Sequence, residues 1–172
     1  MKTWNSRVGK LESAVWNMHL TVPKDVAVHF IKSGGKRVIC NIDGRHEFHA
    51  ALMSKGGGEY FININKEIRK KLSLEAGDQV PITLMADKSK YGIWLAPEME
   101  ELLIQDVDGN ALFHQLTPGK QRSLLHIIGK PKSSDIRLRK GLMVLDYLKS
   151  SRGQLDFKAL HQFFKEFKGN YT

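Results

Sequence analysis

The chain has 172 residues, enough for one substantial core or two small ones, and 41% of them are apolar, which excludes wholesale disorder. No apolar run is long enough to span a membrane, and residues 1–13 lack the apolar centre of a signal peptide, so a cytoplasmic protein is expected. Lys and Arg number 27 against 18 acids, a net charge of +9, which favours phosphate or acidic partners without choosing among them.

Weak alternation over residues 6–12 predicts a short first strand. Residues 14–22 place Trp16, Met18, Leu20 and Val22 on one parity, the pattern of a half-buried strand. Pro23 ends it and opens a short helix over 24–31, with Val26 and Phe30 one turn apart, before Ser33, Gly34 and Gly35 stop it. Residues 37–42 are rich in β-branched side chains, and Asp43 with Gly44 signals a hairpin that returns antiparallel over 47–53. The single cysteine, Cys40, falls inside this strand and is read as a reduced core thiol.

Residues 54–58, Ser-Lys-Gly-Gly-Gly, read as a flexible linker; they carry neither the Lys-Ser/Thr of a P-loop nor a dinucleotide fingerprint. A strand over 59–64 follows, with Tyr60, Ile62 and Ile64 on one face, and Asn65 is placed to cap a short helix over 66–72. Residues 75–78 turn the chain, and 79–85 with 91–95 are expected to form a closing hairpin, Pro81 implying an edge or a bulge. These segments repeat the earlier ones. LTVPKDVAVHFIKSGGKRVICNI at 20–42 aligns without gaps on ININKEIRKKLSLEAGDQVPITL at 62–84, a constant offset of 42. One copy cannot bury both its sheet face and its helix, whereas two packed together can, so one small barrel with internal pseudo-twofold symmetry is expected.

Beyond Pro97 the texture is helical. Short amphipathic segments cover 98–104 and 110–116. Thr117 and Pro118 open a helix over 119–128 that buries Leu124, Leu125, Ile127 and Ile128. Ser133 or Ser134 caps a longer helix reaching about residue 148, with Gly141 as a weak interior point. A last helix over 156–167 sets Phe157, Leu160, Phe164 and Phe167 on one stripe, read as core. The expected domains are residues 1–96 and 97–172.

No nucleophile elbow, Walker motif or supported carboxylate pair is present, and the seven histidines have no Cys/His cluster around them. His46 and His49, in extended chain, point to opposite faces. The reading is therefore of a non-enzymatic protein with no catalytic residues, no metal and no cofactor. What remains is basic. Lys66, Arg69, Lys70 and Lys71 crowd one short helix, where 66, 69 and 70 share a face. Lys36 and Arg37 follow the first helix, and Lys130, Lys132, Arg137, Arg139 and Lys140 surround the start of the long C-terminal one. A solvated charged surface is the simpler account of them, and clustered cations of this kind also suffice for non-specific phosphate contact.

The run IRKKLSLEAGDQVPITL resembles the AbrB/MazE transcription-factor and antitoxin signature. In that superfamily one chain usually supplies half of a double-split barrel and a homodimer completes it. With VPKDVAVHF, GKRV, LMSKGGGEYFININKEIRKKL and GDQV, residues 8–95 look like an uncharacterised bacterial family that carries both halves in one chain. The remainder is similar to the YdeI/OmpD-associated segment, linked by name to bacteriocin protection, through Pro97 with Glu98, FHQLTPGKQRSLLHII and GKPKSSDIRLRKGLMVLDYL. Lys130, Arg137 and Arg139 fit its pattern of a lysine followed by two arginines.

The resemblances imply an α+β protein, a duplicated double-split β-barrel (an AbrB-like pseudo-dimer) followed by a small all-helical module. The AbrB comparison implies nucleic-acid contact at Lys66, Arg69, Lys70 and Lys71, but the first copy has Val28 and His29 where the second has Lys70 and Lys71. The basic patch occurs once, which argues against symmetric operator recognition. The expected function is that of a non-enzymatic binding protein, with nucleic acid, met non-specifically through the basic clusters, as its candidate ligand. The alternative is a stress or bacteriocin-protection factor acting through protein or envelope-component contacts. The expected state is a monomer, or a dimer formed outside the barrel.

Overall fold

A computed structural model describes residues 1–11 and 18–171, with the side chains of Lys168 and Tyr171 left aside. The fold is α+β and divides into two compact units, Met1–Gly92 and Ile93–Thr172. No helix among the described residues is long and apolar enough to cross a membrane.

Unit 1 contains β1 (Lys2–Lys10), β2 (Met18–Val22), α1 (Lys24–Gly34), β3 (Arg37–Ile42), β4 (His46–Ala51), β5 (Met53–Gly56), β6 (Glu59–Asn63), α2 (Lys66–Leu72) and β7 (Gln79–Ala86). Its strands form one antiparallel sheet in the order β4-β3-β7-β1-β2-β6-β5. β1 changes partner part-way: residues 2–7 pair with β7 and residues 8–10 with β2. The end strands β4 and β5 are separated only by Leu52, so the sheet curls until its two ends lie one residue apart along the chain. Strand alternation sends Val38, Cys40 and Ile42 inward with Leu20, Ile62, Ile82 and Leu84, all fully buried. α1 adds Val26, Ala27 and Phe30 to this core, and α2 adds Ile68 and Leu72. Burial raises the Cys40 thiol to about 12, so it stays protonated and packs as a small apolar group.

Several expectations change here. The first strand is not a short piece at 6–12 but the nine-residue β1. Of the strand expected over 14–22, residues 14–17 lie outside the described residues, and β2 supplies the rest. Residues 54–58 are not a linker: β5 pairs with β6 across them, and Gly56, Gly57 and Gly58 all take positive φ in the connecting turn. No strand forms over 91–95. β7 already has β3 on one side and β1 on the other, so no edge is left for a hairpin partner. The chain after β7 instead folds on itself: Asp87 accepts from the Ser89 backbone N–H and hydroxyl, and Ser89 Oγ accepts from Gly92 N–H. Pro81 therefore sits in a strand flanked on both sides. Its carbonyl accepts from Asp43 N–H, so its nitrogen faces the turn where β3 has already ended, and the missing donor breaks no ladder bond.

Unit 2 contains α3 (Pro97–Gln105), α4 (Val107–Gln115), α5 (Pro118–Gly129), α6 (Ser134–Ser150) and α7 (Phe157–Phe167), then a 3₁₀ turn, Lys168–Tyr171. α6 is the hub, packing against each of the other four helices. Gly141 is not a weak point in it. A Cβ there would stand 2.5 Å from Leu102 Cδ1, so the missing side chain lets α3 approach. Ser133 occupies the N-cap of α6 without a side-chain cap bond, and the neighbouring Ser134 hydroxyl donates to Glu98. On α7 only part of the aromatic stripe is core: Leu160 is buried, while Phe157 and Phe167 are 42% and 38% exposed.

Candidate basic site

The Asn65 side chain accepts from Ile68 N–H at 2.8 Å and starts α2, and Ile68 and Leu72 turn into the core. That orientation leaves Lys66 and Lys70 exposed and Arg69 half-buried. Ser73 then takes a left-handed conformation at φ 53°, its N–H returning to the carbonyls of the last helical turn, which folds residues 73–75 back beside the helix. The result is a shallow hollow of about 430 Å³ lined by Lys66, Arg69, Lys70, Ser73, Leu74 and Glu75. None of the three cations forms an ion pair among the described residues, and Arg69 Nε is buried without a hydrogen-bond partner. Lys71 leaves this group: its Nζ lies 3.2 Å from His46 Nδ1 on β4. Burial, and then the Lys71 charge, push the His46 imidazole below its ordinary value.

The remaining predicted cations divide by what holds them. Lys36 is exposed, but the Arg37 guanidinium donates to the Gly92 carbonyl and pins the loop after β7. In unit 2, Lys130 and Lys132 are exposed. Arg137 is held inside its unit: Nε and Nη2 donate to Glu98 at 2.9 and 2.6 Å, and Nη1 donates to the carbonyls of Pro131 and Lys132. Its guanidinium also lies over the Trp94 ring. Hydrogen bonds from Arg137 and Ser134 hold the Glu98 carboxyl down to about 2. Arg139 and Lys140 are half-buried beside an apolar hollow rather than on an open face. Of the eleven cations, the structure thus brings Lys66, Arg69 and Lys70 together and assigns Arg37 and Arg137 to internal contacts.

Sequence reasoning missed two polar groups. His49 Nδ1 lies 2.8 Å from Asp87 Oδ2, whose side chain is fully buried. Burial alone would raise Asp87, but the bonds from Ser89 and His49 outweigh it and hold the carboxyl below its usual range. Ser89 Oγ bonds to Asp87 rather than to His49, so the three do not form a nucleophile–base–acid relay. The pairing joins β4 to the end of β7, and no local spacing announces it. The second group is His19, 3% exposed, packed edge-on against Phe61 and opposite Gly9. A Cβ on Gly9 would stand 2.5 Å from its ring. Burial and then Lys55 lower its pKa against Glu59, which favours the neutral ring.

Residues 8–84 match the family model described as Domain of unknown function (DUF1905). The match ends inside β7 and leaves unit 2 outside it. No curated protein and no solved structure matches the chain.

Proposed function

We propose that unit 1 is an internally duplicated double-split β-barrel on the AbrB plan, and that it binds nucleic acid non-specifically through α2. The strand registers support the duplication. β2 and β6 pair with Leu20 opposite Ile62, and β3 and β7 pair with Asn41 opposite Thr83. Both pairs join residues 42 apart, as a twofold axis through each pairing requires. α1 and α2 begin at 24 and 66, and β3 and β7 at 37 and 79. The crossings match too: Val8 N–H donates to the Asp78 carbonyl and Leu52 N–H to that of Lys36, again positions 42 apart on the acceptor side. In this reading β1 takes beside β7 the place that β4 holds beside β3. Both halves come from one chain, so the barrel needs no second copy, and any dimer uses other surfaces.

The observation that carries the function is the group of three cations, Lys66, Arg69 and Lys70, gathered with one acid, Glu75, around an open hollow and forming no ion pair among the described residues. Phosphate binding needs no more than clustered cations, and a site present once favours contact without operator symmetry. The test is a fluorescence-anisotropy titration of random duplex DNA at several salt concentrations. Affinity should fall with a log–log slope of about −0.9 per phosphate neutralised. Replacing Lys66, Arg69 and Lys70 by Ala should weaken binding and flatten that slope by up to about 3 units, with stability changed by only ~0.5 kcal/mol at each of the exposed positions Lys66 and Lys70. Absence of wild-type binding at ~50 mM salt, where non-specific complexes are strong, would remove the nucleic-acid reading.

A second reading, a stress or bacteriocin-protection factor working through protein or envelope-component contacts, is favoured by two exposed apolar side chains. Ile104 and Val107, at the junction of α3 and α4, are 68% and 75% exposed. Under that reading a partner co-purifies at low salt, Ile104→Ser with Val107→Ser releases it, and DNA does not compete.

A further inference from the structure

Residues 136, 139, 140 and 143 are spaced to share one face of α6. With Phe164 of α7 they line a hollow of about 390 Å³. Its walls are the apolar side chains of Ile136, Met143 and Phe164 and the stems of Arg139 and Lys140. Ile136 is 46% exposed, so the hollow opens to solvent at that end. Pockets that take small molecules run from about 300 to 1,000 Å³, so this one suits a short chain rather than a large ring system.

Among the described residues, the charged groups lining the hollow are of one sign. Arg139 forms no ion pair among the described residues, although Asp135 precedes it by one turn. Lys140 donates to the Ile127 carbonyl at 3.3 Å and forms no ion pair among the described residues. Burial and the nearby Lys130 charge push its ammonium below the ordinary lysine value, so a bound anion would relieve an unfavourable field. This contrasts with Arg137 and Lys149 on the same helix, each paired with acids.

We propose that this hollow binds a small anionic amphiphile, a medium-chain carboxylate, with its head group on Arg139 and Lys140 and its tail against Ile136, Met143 and Phe164. A neutral chain would satisfy the apolar wall and leave the two cations uncompensated. A short anion would satisfy the cations and leave the wall open. The combination selects a ligand with both parts. The site uses none of Lys66, Arg69 or Lys70 and stands whether or not the protein binds nucleic acid.

The experiment is a ¹H–¹⁵N chemical-shift titration of the full chain with decanoate below its micelle concentration, with decan-1-ol and acetate as controls. Decanoate should give saturable shifts centred on residues 136–143 and 160–164. Each methylene removed from the tail should weaken it by roughly fourfold. Decan-1-ol should bind about tenfold more weakly, and acetate should leave these residues unmoved. Arg139→Gln with Lys140→Gln, checked by an otherwise unchanged spectrum, should bring decanoate down to the affinity of decan-1-ol. Phe164→Ala should weaken both chains and leave their ratio unchanged. Equal affinity for decanoate and decan-1-ol, shifts scattered over both units, or no saturable shift at 1 mM would each overturn the proposal. Saturation of these residues by an acidic peptide that decanoate cannot displace would overturn it as well.

Discussion

The two units reach a buried core by opposite routes. In unit 1 the contacts that matter join residues far apart in sequence: Lys2 pairs with Leu84, and Val38 with both Ala50 and Ala86. Which side chains point inward is decided by register, since a slip of one residue would turn every strand inside out. In unit 2 one long helix collects its neighbours, and the charged contacts lie at helix ends. Glu98 on α3 grips Arg137 on α6, and Lys149 on α6 reaches Asp106, whose side chain caps α4 through Gly109 N–H. The difference teaches where each unit is vulnerable. The sheet unit depends on shape at its strand crossings, and the helical unit depends on ionised groups that acid can remove.

The largest effect should come from the centre of the sheet. Leu20→Ala and Ile62→Ala each remove a fully buried side chain from the same cross-strand pair, and each should cost about 2–5 kcal/mol in urea denaturation. Because the two residues are direct partners, the double variant should depart from additivity by about 0.5 kcal/mol or more. A nearly silent Ile62→Ala beside a severe Leu20→Ala would count against the proposed equivalence of the two strands.

A smaller effect tests shape at the crossing of β1 and β2. Gly9→Ala should destabilise by about 1–3 kcal/mol, since its Cβ would overlap the His19 ring. His19→Ala should suppress much of that cost in the double variant, because the obstacle is then gone. Equal cost of Gly9→Ala in both backgrounds would show that backbone strain, and not the imidazole, makes glycine necessary there.

The third test sharpens the contrast by pH. Glu98 binds its proton less readily folded than unfolded, so its contribution to stability is whole above about pH 4.5 and is lost as the pH falls toward about 2. Helical signals from unit 2 should weaken across that window, and Glu98→Gln should flatten the dependence. The Glu98→Gln variant keeping the full wild-type acid profile would assign that loss to other carboxylates.

Local pattern made much of the fold legible. Helix 66–72, its Asn65 cap and strand 37–42 follow from residue type and spacing, and the structure places α2 and β3 over those residues. The failures share a cause. A strand over 91–95 fits the alternation, yet a strand needs a free edge, and β1 had taken it. Phe157 and Phe167 fit a core stripe by period, but a stripe is buried only where a neighbouring helix covers it. The candidate site divides in the same way. The cluster at 66, 69 and 70 lies within one helical turn and could be seen in advance. The engagement of Arg137 by Glu98, 39 residues away, could not.

The sequence by itself determined most of the local elements and the basic character of α2, because periodicity, capping and charge are properties of neighbouring residues. Only the tertiary structure decided which strand lies beside β7, which cations stay open to solvent and which hollow Arg139 and Lys140 face. Those outcomes depend on edges filled and surfaces covered by residues distant in the chain, and no local pattern encodes that competition.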